Sequence, residues 1–309
     1  MVLKATKPDV AEKRLKMFVF GKAGCGKTTA AIQFKNAYIF DAEKGTENYG
    51  EEIIKQGSVV LKTSDFDTIY NEIRDLMTSK HEYRTIVIDP VTQVFASLKD
   101  KWVKKFDKYA DSQKAKDMQN YGVGYWGKVK GEWKSFWRLL LQVDMNVIVT
   151  AHQKPEYAEG GQMVKVGDTY DSDRSDEYHF DYLFQILKKG AKRDAPRVAI
   201  TLKQRTSIEK EGFPDEFEWS YVNFEKLYGK TVIERASNPI TLASEEKIGL
   251  LNKLIELLNI SPDTQDRWKA KENVDQFEEM KAERVDALIA ELEKRLNAIQ
   301  TNLKNGGTK

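Results

Sequence analysis

The sequence predicts an α/β fold in which a mostly parallel sheet is flanked by helices. Short apolar runs alternate along the chain with longer amphipathic segments, as expected for repeated strand–helix–strand units. One run, Thr-Ile-Val-Ile-Asp at 85–89, is apolar on both faces, which is typical of a buried parallel strand. Another, at 15–20, is followed at once by a glycine-rich turn and a helical pattern. Because ligands bind at the carboxyl ends of strands in such sheets, we expect functional loops there.

The individual elements follow from the same patterns. The predicted strands are 15–20, 37–41, 58–62, 85–89, 146–151, 182–187 and 197–203. The late strands and 216–224 have no helix between them, which indicates an antiparallel edge. The predicted helices of this part are 28–36, 66–79, 91–109 and 126–142.

From about residue 244 the sequence becomes helical, with leucine-rich amphipathic patterns. An apolar stripe at alternating spacings of four and three ends the chain: Val285, Ile289, Leu292, Leu296, Ile299 and Leu303. This stripe fits either packing on the protein's own core, which its short length favours, or a coiled coil. We therefore predict a core at 1–240, a C-terminal helical region at 241–304 and a flexible tail at 305–309.

The composition is that of an ordinary soluble protein. The chain has 309 residues, 32% of them charged, and a formal net charge of +2, so any affinity for nucleic acid must come from local patches. Cys25 is the single cysteine, which excludes an intrachain disulfide and fits a reducing cytoplasm. No signal peptide or membrane span is predicted.

Residues 21–28 read Gly-Lys-Ala-Gly-Cys-Gly-Lys-Thr and match the G-x-x-x-x-G-K-[ST] phosphate-binding loop. The glycines let several backbone N–H groups point at one anion, Lys27 reaches the β- and γ-phosphates, and Thr28 holds Mg²⁺. ATP and Mg²⁺ are therefore the expected cofactors. The predicted phosphate-binding residues are Gly21, Lys22, Ala23, Gly24, Cys25, Gly26, Lys27, Thr28 and Thr29. A reactive-thiol role for Cys25 is a minor alternative.

Asp89 ends the buried strand at 85–89 and is the second predicted metal ligand. A carboxylate at the carboxyl end of a strand lies near the phosphate loop and can orient Mg²⁺, often through water. The same residue also fits a helix cap for the segment that begins at Pro90. The two roles are compatible.

Three further motifs resemble those of the RecA family. The segment Asp41-Ala42-Glu43 resembles the family's Asp-Ala-Glu, which implies that Glu43 is the general base and Asp41 a neighbour of Mg²⁺ or water. We expect the end of its strand to lie next to the first strand. The segment 147–152 resembles the strand that ends in a γ-phosphate sensor, which implies His152, or Gln153 beside it. The segment Lys203-Gln204-Arg205 resembles the K-x-R finger, which acts on a neighbouring subunit's γ-phosphate.

These motifs together resemble the phage-encoded RecA/RadA-like ATPases grouped with single-strand annealing recombinases. The resemblance covers about residues 14–225 and implies a RecA-like P-loop core and ATP-dependent binding of single-stranded DNA in recombination or annealing. It also implies a filament or ring, a location in the host cytoplasm and, often, a single-strand-binding protein as partner. Two alternatives stay open: a hexameric helicase or helicase loader, and a nucleotide-switched protein scaffold with slow hydrolysis.

The segment 99–138 carries the signal for DNA. It has eleven Lys or Arg against five Asp or Glu, together with nine aromatic residues. Cations that follow phosphates and aromatics that stack on bases are the two components of single-strand binding. Three of the aromatics, Trp133, Phe136 and Trp137, have the spacing of a helix core. The DNA candidates are Tyr121, Tyr125, Trp126, Lys128 and Lys130, on an expected mobile loop. A second expected loop, 152–180, is acidic and opposes DNA binding.

Overall fold

The computed structural model describes residues 13–107, 123–158, 164–192, 194–206, 211–272 and 274–305. The chain divides into two compact units. The first contains residues 1–69, 81–120 and 144–237, and the second contains 70–80, 121–143 and 238–309. Two segments from inside the predicted core thus group with the C-terminal helices. The boundaries expected from the sequence remain a prediction.

The first unit is built on one sheet of nine strands in the described part of the chain, in the order β3-β2-β4-β5-β1-β7-β8-β9, with β6 paired to β5. The strands are β1 Lys16–Gly21, β2 Ala37–Asp41, β3 Val59–Lys62, β4 Thr85–Asp89, β5 Asn146–Tyr157, β6 Lys165–Tyr170, β7 Tyr182–Lys188, β8 Arg197–Gln204 and β9 Glu216–Glu218. The α-helices of the described ranges are α1 Lys27–Ala31, α2 Gly50–Lys55, α3 Phe66–Thr78, α4 Val91–Asp107, α5 Val123–Gln142, α6 Tyr221–Tyr228, α7 Lys230–Ile233, α8 Glu245–Leu257, α9 Pro262–Lys271 and α10 Ala282–Asn305.

Strands β3, β2, β4, β5, β1 and β7 are mutually parallel, and β8 and β9 form the antiparallel edge that the sequence predicts. All five residues of β4 are buried, as expected for a central parallel strand. Helix α1 packs against β1, β4 and β5, and α4 packs against β5. The predicted fold class, a mostly parallel sheet flanked by helices, is confirmed.

The strand order corrects one expectation. Strand β2 does not lie next to β1, because β4 and β5 are inserted between them. The carboxyl ends still meet at one edge, since Asp41 pairs in register with Asp89 and Gly21 with His152. The polar residues that follow these strands are therefore neighbours even where the strands are not.

Three elements end far from the residue that the sequence predicts, whereas the other boundaries differ by a few residues at most. Helix α1 ends at Ala31 instead of residue 36. Strand β9 has only three residues, because Ser220 caps α6 by accepting a hydrogen bond from the Asn223 N–H at 3.1 Å. Strand β5 continues to Tyr157 and forms a hairpin with β6. Part of the expected acidic loop is therefore regular β-structure.

The second unit has a core of its own. Helices α8 and α10 pack together, with Leu251, Val285, Leu288 and Leu292 fully buried. Three residues of the predicted apolar stripe, Val285, Ile289 and Leu292, are buried here, and Leu296 is partly buried, whereas Ile299 is exposed. The side chain of Leu303 lies outside the described part of the chain. The first half of the stripe therefore packs on the protein's own core. No helix in the described ranges combines the length and the apolar character that crossing a membrane requires.

Helix α5 also belongs to the second unit. Trp133, Phe136 and Trp137 are buried on one face and contact each other with ring centroids 5.1–5.2 Å apart. This confirms that the three residues form a helix core. Aromatic burial of this size makes a large contribution to the stability of the unit.

Candidate nucleotide-binding and hydrolysis site

The phosphate-loop motif lies between β1 and α1, as the sequence predicts. Gly24 and Gly26 have φ angles of +72° and +100°, which residues with a Cβ rarely adopt. The Lys27 ammonium donates to the carbonyl oxygens of Gly21 at 2.9 Å and Lys22 at 3.1 Å. The Lys27 side chain thus lies over the phosphate loop, where its ammonium group can contact an anion that the loop binds.

Asp89 and Thr28 come together at the end of β4. Asp89 is 4% exposed and accepts hydrogen bonds from the hydroxyls of Thr150 and Thr28. Burial raises the pKa of the Asp89 carboxyl, and the two hydroxyls act in the opposite direction. A carboxylate and a threonine hydroxyl are hard oxygen donors, which suit Mg²⁺. The donor set therefore fits the predicted ion.

A magnesium ion at this point depends on more than protein ligands. Within the described ranges, no group of three or more His, Cys, Asp or Glu side chains is arranged to hold a metal ion. Mg²⁺ usually keeps several waters and binds through one or two protein groups together with substrate phosphates.

Asp41 has a structural role in the loop that follows β2. Its carboxylate accepts hydrogen bonds from the N–H groups of Gly45 and Thr46, both at 2.9 Å, and from the Thr46 hydroxyl at 2.5 Å. The Glu43 N–H is 3.3 Å away. Both oxygens of Asp41 are engaged by the loop that follows β2. Asp41 therefore fixes the loop that carries Glu43, and its expected place beside Mg²⁺ or water stays a prediction.

Glu43 and His152 are brought together. The Glu43 Oε2 atom lies 3.0 Å from His152 Nε2, and Oε1 accepts a hydrogen bond from Gln93 Nε2 at 2.6 Å. About a third of each side chain of the Glu43–His152 pair is exposed, so the pair remains open to solvent. The carboxylate predicted to activate water and the residue predicted to sense phosphate thus form one polar group.

Gln153 points to a different neighbour. Its Oε1 atom accepts a hydrogen bond from Gln185 Nε2 at 3.3 Å. Successive side chains of a strand point to opposite faces, so only one of the two sensor candidates can meet Glu43. In this structure that residue is His152.

Lys203 and Arg205 lie away from the phosphate loop of their own chain. Gln204, which lies between them, pairs in register with Tyr182 of β7, and Tyr182 pairs with Met17 near the start of β1. Lys203 and Arg205 therefore lie at the amino ends of the parallel strands, on the opposite side of the sheet from the phosphate loop. Lys203 donates to the carbonyl oxygen of Glu177, and Arg205 lies 3.5 Å from the Asp181 carboxylate. Burial lowers the pKa of Lys203, and the nearby Arg205 lowers it further. Any action of this pair on phosphate would have to be on another subunit.

Two contacts at the site were missed at the sequence level. A Cβ built on Gly26 would lie 2.7 Å from Arg197 Nε, so the arginine packs against the phosphate loop. Arg197 begins β8 and pairs with Lys188 at the carboxyl end of β7, which places it beside the phosphate loop. The antiparallel pairing of these two strands is the feature from which its position could have been predicted. The second contact is that of Gln93 with the Glu43 carboxylate. Burial raises the pKa of the Cys25 thiol, which argues against a reactive-thiol role.

The DNA candidates separate into two groups. Tyr121 lies outside the described residues. Tyr125 is buried on helix α5, which corrects the expectation of a mobile loop and of a stacking surface at this residue. The physical reason is the spacing of Tyr125, Val129 and Trp133, which places all three on the buried face of one helix. Trp126, Lys128 and Lys130 are exposed.

The loop geometry gives a first testable prediction. Gly26→Ala should weaken ATP binding by about tenfold or more, because the left-handed conformation costs a residue with a Cβ about 1–2 kcal/mol and Arg197 occupies the space. Isothermal titration with ATP measures the change. Gly50→Ala is the matched control, since φ is −56° and no described atom lies within 4 Å of the added Cβ. Equal affinity of both variants would contradict the assigned geometry.

Comparisons with known proteins place the chain in one protein family. A search of curated proteins finds no match. Among solved structures, a KaiC-like protein from the hyperthermophilic archaeon Pyrococcus horikoshii is similar over 66% of this chain and 84% of its own, with 14% identity and a TM-score of 0.38. A family model described as an AAA domain (AAA_24) matches residues 13–211, which contain the phosphate loop, Glu43, Asp89 and His152. The chain therefore belongs to this AAA-domain family of P-loop ATPases.

Proposed function

We propose that this P-loop ATPase hydrolyses Mg²⁺-ATP and uses it to act on single-stranded DNA in recombination or annealing, as a member of the phage-encoded RecA/RadA-like group. The observation that carries the proposal is the meeting of Glu43 with His152 at the sheet edge where the phosphate loop and Asp89 lie. The function has two parts, hydrolysis and DNA binding. Different residues support each part.

In the proposed hydrolysis, Glu43 orients a water molecule and takes its proton as the water oxygen bonds to the γ-phosphorus. The bond from that phosphorus to the bridging oxygen breaks, giving ADP and phosphate. Lys27 neutralises charge on the phosphates, and the ring N–H of His152 can donate either to the Glu43 carboxylate or to the γ-phosphate. Thr28 and Asp89 would hold Mg²⁺, which supplies further charge neutralisation at the phosphate oxygens.

Glu43→Gln should keep ATP binding within about threefold and lower kcat by about 10²- to 10⁴-fold, because the amide cannot take a proton. Phosphate release and isothermal titration measure the two quantities. Lys27→Ala should instead lose binding, turnover or both. Glu47→Gln is the control, since Glu47 is exposed and pairs with Lys62 at 3.2 Å. Turnover by Glu43→Gln close to that of the parent protein would refute the assigned role.

We assign Lys203 and Arg205 to the active site of a neighbouring subunit in a filament or ring. Their location at the sheet edge opposite their own phosphate loop supports this assignment. Hydrolysis would then require assembly, because the transition-state charge is stabilised by cations from the next subunit.

A mixing experiment tests the assignment. The double variant Lys203→Ala/Arg205→Ala and the variant Glu43→Gln should each be nearly inactive. A mixture should regain activity, because a Glu43→Gln subunit supplies its finger to the intact site of the double variant. The ATPase rate of the mixture is compared with the sum of the separate rates. Lys189→Ala, at an exposed ion pair with Glu216, is the control. An unstimulated mixture, or full activity in a monodisperse monomer, would contradict the assignment.

The DNA part of the proposal relies on helix α5. Trp126 presents an aromatic surface to solvent, and Lys128 and Lys130 are exposed within the same two turns. An exposed aromatic side chain can stack on a base while nearby cations contact phosphates. The strong positive balance of the surrounding sequence supports the same assignment.

Single-stranded DNA should stimulate the ATPase, and the protein should anneal complementary strands. The triple variant Trp126→Ala/Lys128→Ala/Lys130→Ala should bind single-stranded DNA at least about tenfold more weakly, since each stacked base is worth about 1–3 kcal/mol. Fluorescence anisotropy at low salt measures the binding. Lys253→Ala/Lys294→Ala, at two exposed lysines of the same unit, is the control. Equal DNA affinity of both variants would remove α5 from the DNA interface, and strand unwinding would indicate a helicase.

One observation favours a second candidate function, a nucleotide-switched protein scaffold. Tyr157, Val164 and Val166 are exposed on the hairpin of β5 and β6. Exposed apolar side chains beside acidic residues suit a protein partner better than a nucleic acid. Absence of any DNA response at low salt, together with slow hydrolysis, would support this candidate.

A further inference from the structure

The first turn of helix α4 contacts both members of the Glu43–His152 pair. Gln93 Nε2 donates a hydrogen bond to Glu43 Oε1 at 2.6 Å. One residue earlier, the Thr92 hydroxyl accepts a hydrogen bond from the His152 N–H at 3.0 Å and donates to the Asp171 carbonyl oxygen at 2.8 Å. Two consecutive side chains of α4 therefore contact one residue of the loop after β2 and one residue of β5.

Glu43 needs such a restraint because of where it lies. It belongs to the loop after β2 rather than to the sheet itself, and about a third of its side chain is exposed. Fixing a free glutamate side chain in one orientation costs rotamer entropy. A general base must be held within hydrogen-bond reach of the water that it activates. The contact with His152 fixes one oxygen, and a carboxylate held at one oxygen can still rotate.

Gln93 is chemically suited to restrain the other oxygen. Its amide is uncharged and donates an N–H without taking or releasing a proton. It therefore orients the carboxylate while leaving proton transfer to Glu43. Gln93 also follows Asp89 by only four residues, and its backbone N–H bonds to the Pro90 carbonyl oxygen at 3.3 Å. The turn that begins at Asp89, the predicted metal ligand, thus also orients Glu43, the predicted base.

We propose that Gln93 is a positioning residue for ATP hydrolysis, which sets the orientation of the Glu43 carboxylate, while Thr92 fixes the backbone of His152. The inference rests on the proposed function, since it assigns a task to Gln93 only if Glu43 acts as the base. It concerns the chemical step and leaves nucleotide binding to the phosphate loop. The expected signature is a change in kcat without a change in KM.

The test compares Gln93→Leu and Gln93→Glu with the parent protein. Both remove the N–H donor, and Gln93→Glu keeps the shape of the side chain, so it carries the test if the leucine variant does not fold. We expect kcat to fall by about 10- to 100-fold, with KM and ATP affinity changed by less than about twofold. Gln265→Leu is the control, because Gln265 donates to the Ile260 carbonyl oxygen in the second unit. Thermal melts check folding.

A double-variant cycle separates positioning from a general structural effect. In a Glu43→Gln background, Gln93→Leu should lower the residual kcat by less than about twofold, because the residue that it positions is already disabled. Independent, multiplying losses would overturn the inference, and so would a loss confined to ATP affinity. No turnover by the parent protein would refute the proposed function. Turnover unaffected by either Gln93 substitution would refute the inference alone.

Discussion

The parallel pairing of β2, β4, β5 and β1 is the constraint on which the site depends. Because these strands run in one direction, each ends at the same edge of the sheet, and each contributes a polar residue or the phosphate loop there. Reversal of any one strand would move its contribution to the far edge, as β8 demonstrates for Lys203. The parallel pairing of these buried strands therefore determines where the polar residues of the site lie relative to one another.

Two buried carboxylates at this edge have different tasks because their surroundings differ. Asp41 and Asp89 lie side by side in register. The backbone N–H groups of Gly45 and Thr46 use both oxygens of Asp41, which makes it part of the loop framework. Asp89 is contacted by hydroxyls, and burial raises the pKa of its carboxyl. A nearby cation would offset the cost of its charge.

The sequence predicted what depends on local patterns. The phosphate loop, the buried strand that ends at Asp89 and the core face of α5 could all be recognised from a few consecutive residues. Features that depend on pairing between distant segments could not be predicted, such as the insertion of β4 and β5 between β2 and β1 and the approach of Arg197 to Gly26. Gln93 was missed for the same reason, because its partner is fifty positions earlier in the chain. Tyr125 was misassigned because the glycines around it resemble a loop, whereas its apolar neighbours one helical turn apart bury it.

Whether residue 152 or residue 153 faces Glu43 depends on the alternation of side chains along β5. Strand β5 is paired in register with β1 from Lys16 opposite Val147 to Gly21 opposite His152. A shift of this pairing by one residue would turn His152 away and present a neighbour of different chemistry. An imidazole can hold or release a proton near neutral pH, and an amide cannot. The alternation of side chains along β5 thus determines that the partner of Glu43 is an imidazole and not an amide.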